Sequence, residues 1–184
     1  MKGHTIMNLA VGEWYVRSYE DTDAAALVKY ANNRKIWLML THVFPHPYTE
    51  EDARCWLNVV KQQTLETNFA ISTEAELIGT IGFKLFEGVH CKTAELGYWL
   101  GEPHWGKGIM TQVVRAMTDY IFTNHDFARI QAAVFESNPG SVRVLEKNGF
   151  CYEGRLRKHV WKDEKLQDVL ICGILRNEWK QRNS

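Results

Sequence analysis

The sequence has no excess of charge of either sign: 22 Lys and Arg balance 22 Asp and Glu. Without a net positive field there is nothing to draw in a polyanion over long range, which counts against a general nucleic-acid binder. Cysteine is sparse. The four present, Cys55, Cys91, Cys151 and Cys172, are too scattered for the paired spacing of a zinc site and too few to staple a secreted mini-domain, so a reducing cytoplasm is the plain reading. Long apolar runs are missing as well. The strongest, Val169 to Leu175, falls far short of a membrane span, and Leu9-Ala10-Val11 before Gly12-Glu13 is no secretory core segment. What is present is ordinary for a folded protein, 45% apolar and 24% charged residues. The 184 residues suit one domain, and no linker, repeat or biased segment divides them. The expectation is a single soluble domain over residues 1–184 with its core in 13–180, cytoplasmic, with no membrane or nucleic-acid partner, monomer and homodimer both open.

Hydrophobic periodicity gives the elements in order. Glu13 to Ser18 reads as a strand, and Asp21 or Thr22 caps a helix over Ala24 to Ala31. A second helical piece from Arg34 to Leu40 ends before Phe44-Pro45-His46-Pro47-Tyr48, where two prolines forbid regular helix. Thr49-Glu50-Glu51-Asp52 reads as a capping box opening a helix whose inner face is Ala53, Trp56, Leu57 and Val60. Phe69 to Ser72 and Leu77 to Phe86 are strands, the second with Leu77, Gly79, Ile81, Phe83 and Leu85 on one face. Ala94 to Leu100 is a fourth strand. Ile109, Val113, Ala116, Met117, Tyr120 and Ile121 then recur at helical spacing, and Arg129 to Glu136 follows as a strand expected to lie parallel to the fourth. Asn138-Pro139 starts a short helix closed by Gly149, and Cys151 to Trp161 with Leu166 to Leu175 make a hairpin around Lys162 to Lys165.

The chemistry concentrates in the loop Gly101-Glu102-Pro103-His104-Trp105-Gly106-Lys107-Gly108. It joins a strand to a helix N-terminus, and its glycines let backbone N–H groups approach an anion while the helix dipole adds about half a positive charge there. Two phosphate-binding motifs compete. Gly101-x-x-x-x-Gly106-Lys107 matches a nucleotide-binding P-loop as far as the eighth position, where a magnesium-ligating Ser or Thr is required and Gly108 stands instead. A coenzyme A pyrophosphate loop needs backbone donors and no such hydroxyl.

Trp105-Gly106-Lys107-Gly108-Ile109-Met110-Thr111 resembles the acetyl-CoA signature of the GCN5-related N-acetyltransferases (GNAT), in the form used by their RimJ/RimL branch of ribosomal-protein N-terminal acetyltransferases. The resemblance extends to Glu95-Leu96-Gly97-Tyr98-Trp99-Leu100 before the loop and to Asn138 through Phe150 after the parallel strand. It implies an α/β fold with a mixed central sheet of about seven strands, splayed where acetyl-CoA enters, and helices on both faces. It implies direct transfer of acetyl from acetyl-CoA to an amine in a ternary complex, most simply to a protein N-terminus. Polyamines, aminoglycosides and amino acids are served by the same scaffold. A CoA-binding module without activity and a P-loop nucleotide-binding protein are the readings from other classes.

For cofactor binding the resemblance designates Trp105, Gly106, Lys107, Gly108, Ile109 and Met110 at the phosphates, although a lysine at the place of Lys107 is more often a solvated loop residue than a phosphate partner. It adds Trp99 and Leu100 as backbone donors to the carbonyl, and Asn138 on the pantetheine arm beside its helix-capping role. It places Phe44, His46 and Tyr48, with Tyr98, at the acceptor; packing between two helices is the plainer reading of the aromatic loop. Two positions depart from the family pattern. The signature's first residue falls on Pro103, and the tyrosine that many members use as acid for the departing thiolate falls on Leu145. Ser141, three residues after Asn138, occupies the place of a proposed substitute. Glu95 is the candidate base, on the strand that enters the loop, against the plainer reading of a strand glutamate. No metal is expected. His42 and His46 are four apart, but Pro45 breaks the helix that would aim both at one ion.

Overall fold

The structure, a computed structural model, describes residues 7–182. The chain divides into two compact units, one of residues 7–82 with Tyr98–Ile109, the other of Phe83–Gly97 with residues 110–182. The first begins with a hairpin that the sequence reading lacks. β1 (Asn8–Val11) pairs antiparallel with β2 (Trp14–Arg17) across a turn in which Gly12 takes a left-handed φ of 62°. Four residues are too few to show a period, so β1 adds an eighth strand to the expected seven.

β2 then pairs with β3 (Asn68–Ser72), and β3 with β4 (Leu77–Leu85). The register slips between Ile71 and Ser72, and Leu77 packs with Ala70 in one cluster, where Ala70 stands opposite Thr80. One uniform face from Leu77 to Leu85 is therefore not what forms, because a bulge changes which side later residues occupy. Three helices complete this unit: α1 (Ala24–Ala31), α2 (Arg34–Trp37) and α3 (Glu50–Lys61). The Thr49 box forms as expected, its hydroxyl accepting from Asp52 N and the Asp52 carboxylate accepting from Thr49 N at 2.8 Å. The cap expected from Asp21 or Thr22 does not form. A 3₁₀ turn precedes α1, and the Asp23 carboxylate instead accepts from Glu20 N and from the Arg17 guanidinium. The apolar faces of α1 and α3 meet in a core of Ala26, Leu27, Ala31, Ala53 and Leu57, with Ala70 and Leu77 from the sheet.

In the second unit β5 (Thr93–Leu100), whose last residues belong to the first unit, pairs parallel with β6 (Arg129–Phe135). The expected strand-helix-strand crossover is completed by α4 (Ile109–Asn124). β6 pairs with β8 (Lys165–Leu175), and β8 with β7 (Cys151–Lys162), whose tight turn puts Asp163 and Glu164 at φ of 52° and 58°. α5 (Pro139–Lys147) lies between β6 and β7, and α6 (Arg176–Arg182), absent from the sequence reading, follows β8. The strand order is β1-β2-β3-β4-β5-β6-β8-β7, an open mixed sheet with β4 and β5 running through both units. Among the described residues no helix is long and apolar enough to cross a membrane.

Where α4 ends, His125 sits among the rings of Phe83, Tyr120 and Phe127, its carbonyl bound by Arg176 and its buried Nε2 without a hydrogen-bond partner. Burial holds this imidazole below its ordinary value of 6.5. As the pH falls past 6.5 the unfolded chain takes up the proton first, so stability present above that value is lost until the folded imidazole also titrates. His125→Phe should flatten this dependence. Urea midpoints at pH 7.5 and 5.5 should differ less for the variant than for the wild type, and equal differences would show that other groups carry the acid sensitivity.

Candidate functional site

The glycine-rich loop has the backbone that close approach to an anion requires. Gly106 and Gly108 have φ of +74° and +77°, and a Cβ built on either meets no atom within 4 Å. Both stand shortly before the first residue of a 16-residue helix, whose N-terminus favours an anion. Backbone of this kind suits an anion such as a diphosphate. Among the described residues no three His, Cys, Asp or Glu side chains converge as a metal site. Trp105 is turned back, its indole N–H donating to Leu100 O at 2.7 Å, which closes the loop on the strand that feeds it. Ile109 and Met110 are 1% and 9% exposed, so their side chains belong to the core and only their backbone can serve a cofactor. Lys107 is exposed on the loop.

In the same unit the aromatic segment is organised. Phe44 packs on Tyr48 with centroids 5.1 Å apart and meets Trp99 edge-on at 5.9 Å. Tyr48 N donates to Asn32 Oδ1, fixing the segment to the end of α1. Burial raises the Tyr48 hydroxyl to about 12, and Tyr19 is raised further by the same cause, so both are neutral donors at pH 7. His46 stands apart: it is exposed and lies over Trp37 at 5.6 Å. The structure thus groups Phe44 and Tyr48 with Trp99 and leaves His46 outside that group. Tyr98 is half-buried on β5.

The second unit holds the remaining candidates. The parallel ladder of β5 and β6 ends at the pair Glu95–Gln131, although both strands run on, β5 to Leu100 and β6 to Phe135. Glu95 marks the point where the sheet splays. Its carboxylate is half-buried and accepts from Gln131 Nε2 at 2.9 Å. Gln131 is in turn held by the guanidinium of Arg129, which Glu153 anchors. Asn138 caps α5, its Oδ1 accepting from Ser141 N at 3.1 Å, which leaves the amide nitrogen as a donor for another partner. Ser141 is half-buried in the first turn of that helix. Leu145, at the position where the resemblance puts an acid tyrosine, is fully buried and apolar.

Sequence reasoning missed the groups that hold these elements. Glu102, inside the loop, accepts from Asn33, 69 residues earlier, and Gln131 meets Glu95 across 36 residues. Separations of that size leave no local pattern, so neither pair announces itself before folding.

Residues 14–151 match the acetyltransferase (GNAT) domain. A probable N-acetyltransferase of Bacillus subtilis is 36% identical over 92% of this chain and 96% of its own length. The ribosomal-protein-serine acetyltransferase of Escherichia coli is 34% identical over 73% of this chain and 77% of its own. Among solved structures, spermidine N-acetyltransferase from Vibrio cholerae with CoA and spermine superimposes with a TM-score of 0.78 at 25% identity, covering 91% of this chain and 98% of that one.

Proposed function

The chain belongs to the acetyltransferase (GNAT) family and is an acetyl-CoA-dependent N-acetyltransferase of the RimJ/RimL type, and from that premise we propose that its acceptor is the N-terminal α-amine of a protein. The observation that carries this reading is the aromatic wall of Phe44, Tyr48 and Trp99. A polyamine brings further ammonium groups that need carboxylates, and several acids of this unit are engaged elsewhere. Asp23 is paired with Arg17, Asp52 is bound into the helix cap, Glu76 holds Lys29 and Tyr30, and Glu102 holds Lys35 and Asn33. An apolar wall suits a peptide, whose only charge at the reacting end is the amine itself. The likeness to the ribosomal-protein-serine acetyltransferase supports the same choice. A cytoplasmic setting agrees with four cysteines that form no disulfide.

Acetyl-CoA supplies an activated thioester carbonyl. The amine nitrogen forms the new bond to that carbon, the C–S bond breaks, and two proton movements remain for the chain to manage. A protein α-amine, with a reference pKa of about 7.7 to 8.0, is already partly neutral at pH 7, so a single weakly assisted proton removal suffices. Glu95, oriented by Gln131, takes that proton, through water where the distance requires it. Backbone N–H groups at Trp99 and Leu100 stabilise the carbonyl oxygen as charge develops on it. The departing thiolate takes a proton with the help of Ser141, since Leu145 has none to give. Gly106 and Gly108 bind the diphosphate, Lys107 adds charge at the loop, and the Asn138 amide donates to the pantetheine arm.

The reading is tested by turnover on N-terminal peptides, spermidine, an aminoglycoside and free amino acids, following free thiol. Peptide α-amines should exceed spermidine in kcat/KM by about tenfold or more, and the reverse order would overturn the assignment of acceptor. Glu95→Gln keeps the size of the side chain but cannot accept the proton. Its kcat/KM should fall most at low pH and recover as the amine deprotonates on its own. Superimposable pH profiles for variant and wild type would make Glu95 a strand residue only.

A further inference from the structure

The cofactor loop has two unlike halves. Gly106 and Gly108 have no protein atom within 4 Å of the position of a Cβ, so no packed neighbour supports the loop on that side. The first half is tied down repeatedly. Gly101 N donates to Ile78 O at 2.8 Å, His104 N to Gly101 O at 2.9 Å, and Trp105 N to Glu102 O at 3.1 Å. A Cβ on Gly101 would stand 2.5 Å from the Tyr30 ring, whose hydroxyl donates to Glu76 and lies 3.4 Å from His104 Nε2.

The strongest side-chain tie runs through Glu102. Its carboxylate accepts from Asn33 Nδ2 at 2.7 Å and from Lys35 Nζ. Asn33 is itself immobilised, because its Oδ1 accepts from Lys35 N as the cap of α2. Both polar atoms of one asparagine are thus committed, one to a helix and one to the loop. A carboxylate at this place is unexpected on charge alone, since a loop that receives a diphosphate gains from cations and loses from anions. We propose that Glu102 and Asn33 are positioning residues that hold the cofactor loop in the shape in which the Gly106 and Gly108 amides meet the diphosphate. The inference rests on the assignment of that glycine pair as the diphosphate cradle. Lys35 neutralises the carboxylate, so the clamp works without repelling the ligand; that ion pair is solvent-exposed and contributes little by itself.

The sign of the effect separates this role from simple electrostatics. Removing an anion beside a phosphate site should tighten CoA binding if charge were all that mattered. Loss of the clamp should loosen it. Glu102→Ala and Asn33→Asp, the latter keeping an oxygen to cap α2, are each expected to raise the CoA Kd by calorimetry and the acetyl-CoA KM about tenfold. The kcat at saturation should stay within twofold. Glu102→Gln retains an acceptor for Asn33 and should bind CoA within about threefold of wild type. The double variant should be no weaker than the weaker single, because either change breaks the same bond. Unchanged or tighter CoA binding by Glu102→Ala, with a wild-type urea midpoint, would overturn the proposal. Gly108→Val in parallel distinguishes the two failures. If it abolishes binding while Glu102→Ala is silent, the clamp is wrong and the cradle stands; if both are silent, the cradle itself is misassigned.

Discussion

Gly108→Val is expected to weaken acetyl-CoA binding at least a hundredfold while the protein still folds. The backbone at this residue has φ of +77°, a region that costs a β-branched side chain heavily. Valine therefore either strains the loop or turns it into another conformation, and in both cases the amides on either side no longer converge. The open space around the missing Cβ means that no packed neighbour is displaced. Global stability should fall by no more than about 1 to 3 kcal/mol, the usual cost of one strained residue. Gly108→Ala, with a smaller steric demand, should fall between. Calorimetric titration with acetyl-CoA beside a urea melt separates the effects, and wild-type affinity in the valine variant would remove this loop from the cofactor site.

Arg176→Ala should be the most destabilising surface-proximal change in the second unit. Its guanidinium donates at 2.6 Å to the carbonyls of Phe122 and Phe127 and also to that of His125, and it lies over the Phe122 ring at 5.1 Å. These carbonyls belong to the last turn of α4 and the chain leaving it, where a helix presents acceptors with no partner of their own. A cation there meets both the hydrogen-bonding need and the negative end of the helix dipole. Hydrogen bonds to a charged group are worth about 1.5 to 3 kcal/mol each but do not add fully, so a loss of about 2 to 4 kcal/mol is expected. For a chain of this size that lowers Tm by roughly 5 to 15 °C. Arg176→Lys should recover only part, since one ammonium cannot serve three divergent carbonyls as a planar fork does. An unchanged Tm in the alanine variant would show that water replaces the guanidinium at no cost.

The contrast between what was legible and what was not follows sequence distance. The Thr49 box, the Asn138 cap before Pro139 and the periodic face of α4 are each written within a few residues, and each forms as read. β1 escaped because four residues next to a glycine turn show no period. The bulge after Ile71 escaped because a register slip is a property of two strands and not of one. At the site, the glycine pair follows from a local motif, whereas the splay was implied only by the resemblance and its position at Glu95 comes from the ladder itself. His46 was placed with Phe44 and Tyr48 because it lies between them in the chain, yet its ring is drawn to Trp37. The Asn33–Glu102 and Gln131–Glu95 bonds join segments that only the fold brings together.

The site of acetylation on a peptide that carries both kinds of amine tests the account most directly. A short peptide with a free N-terminus and an internal lysine, incubated with acetyl-CoA at pH 7 and sequenced by mass spectrometry, offers an α-amine and an ε-amine at equal concentration. The account predicts one acetyl group on the α-nitrogen, released thiol in equal amount, and loss of the product in the Gly108→Val variant. Acetyl on the lysine side chain, or turnover confined to spermidine with none on the peptide, would contradict it.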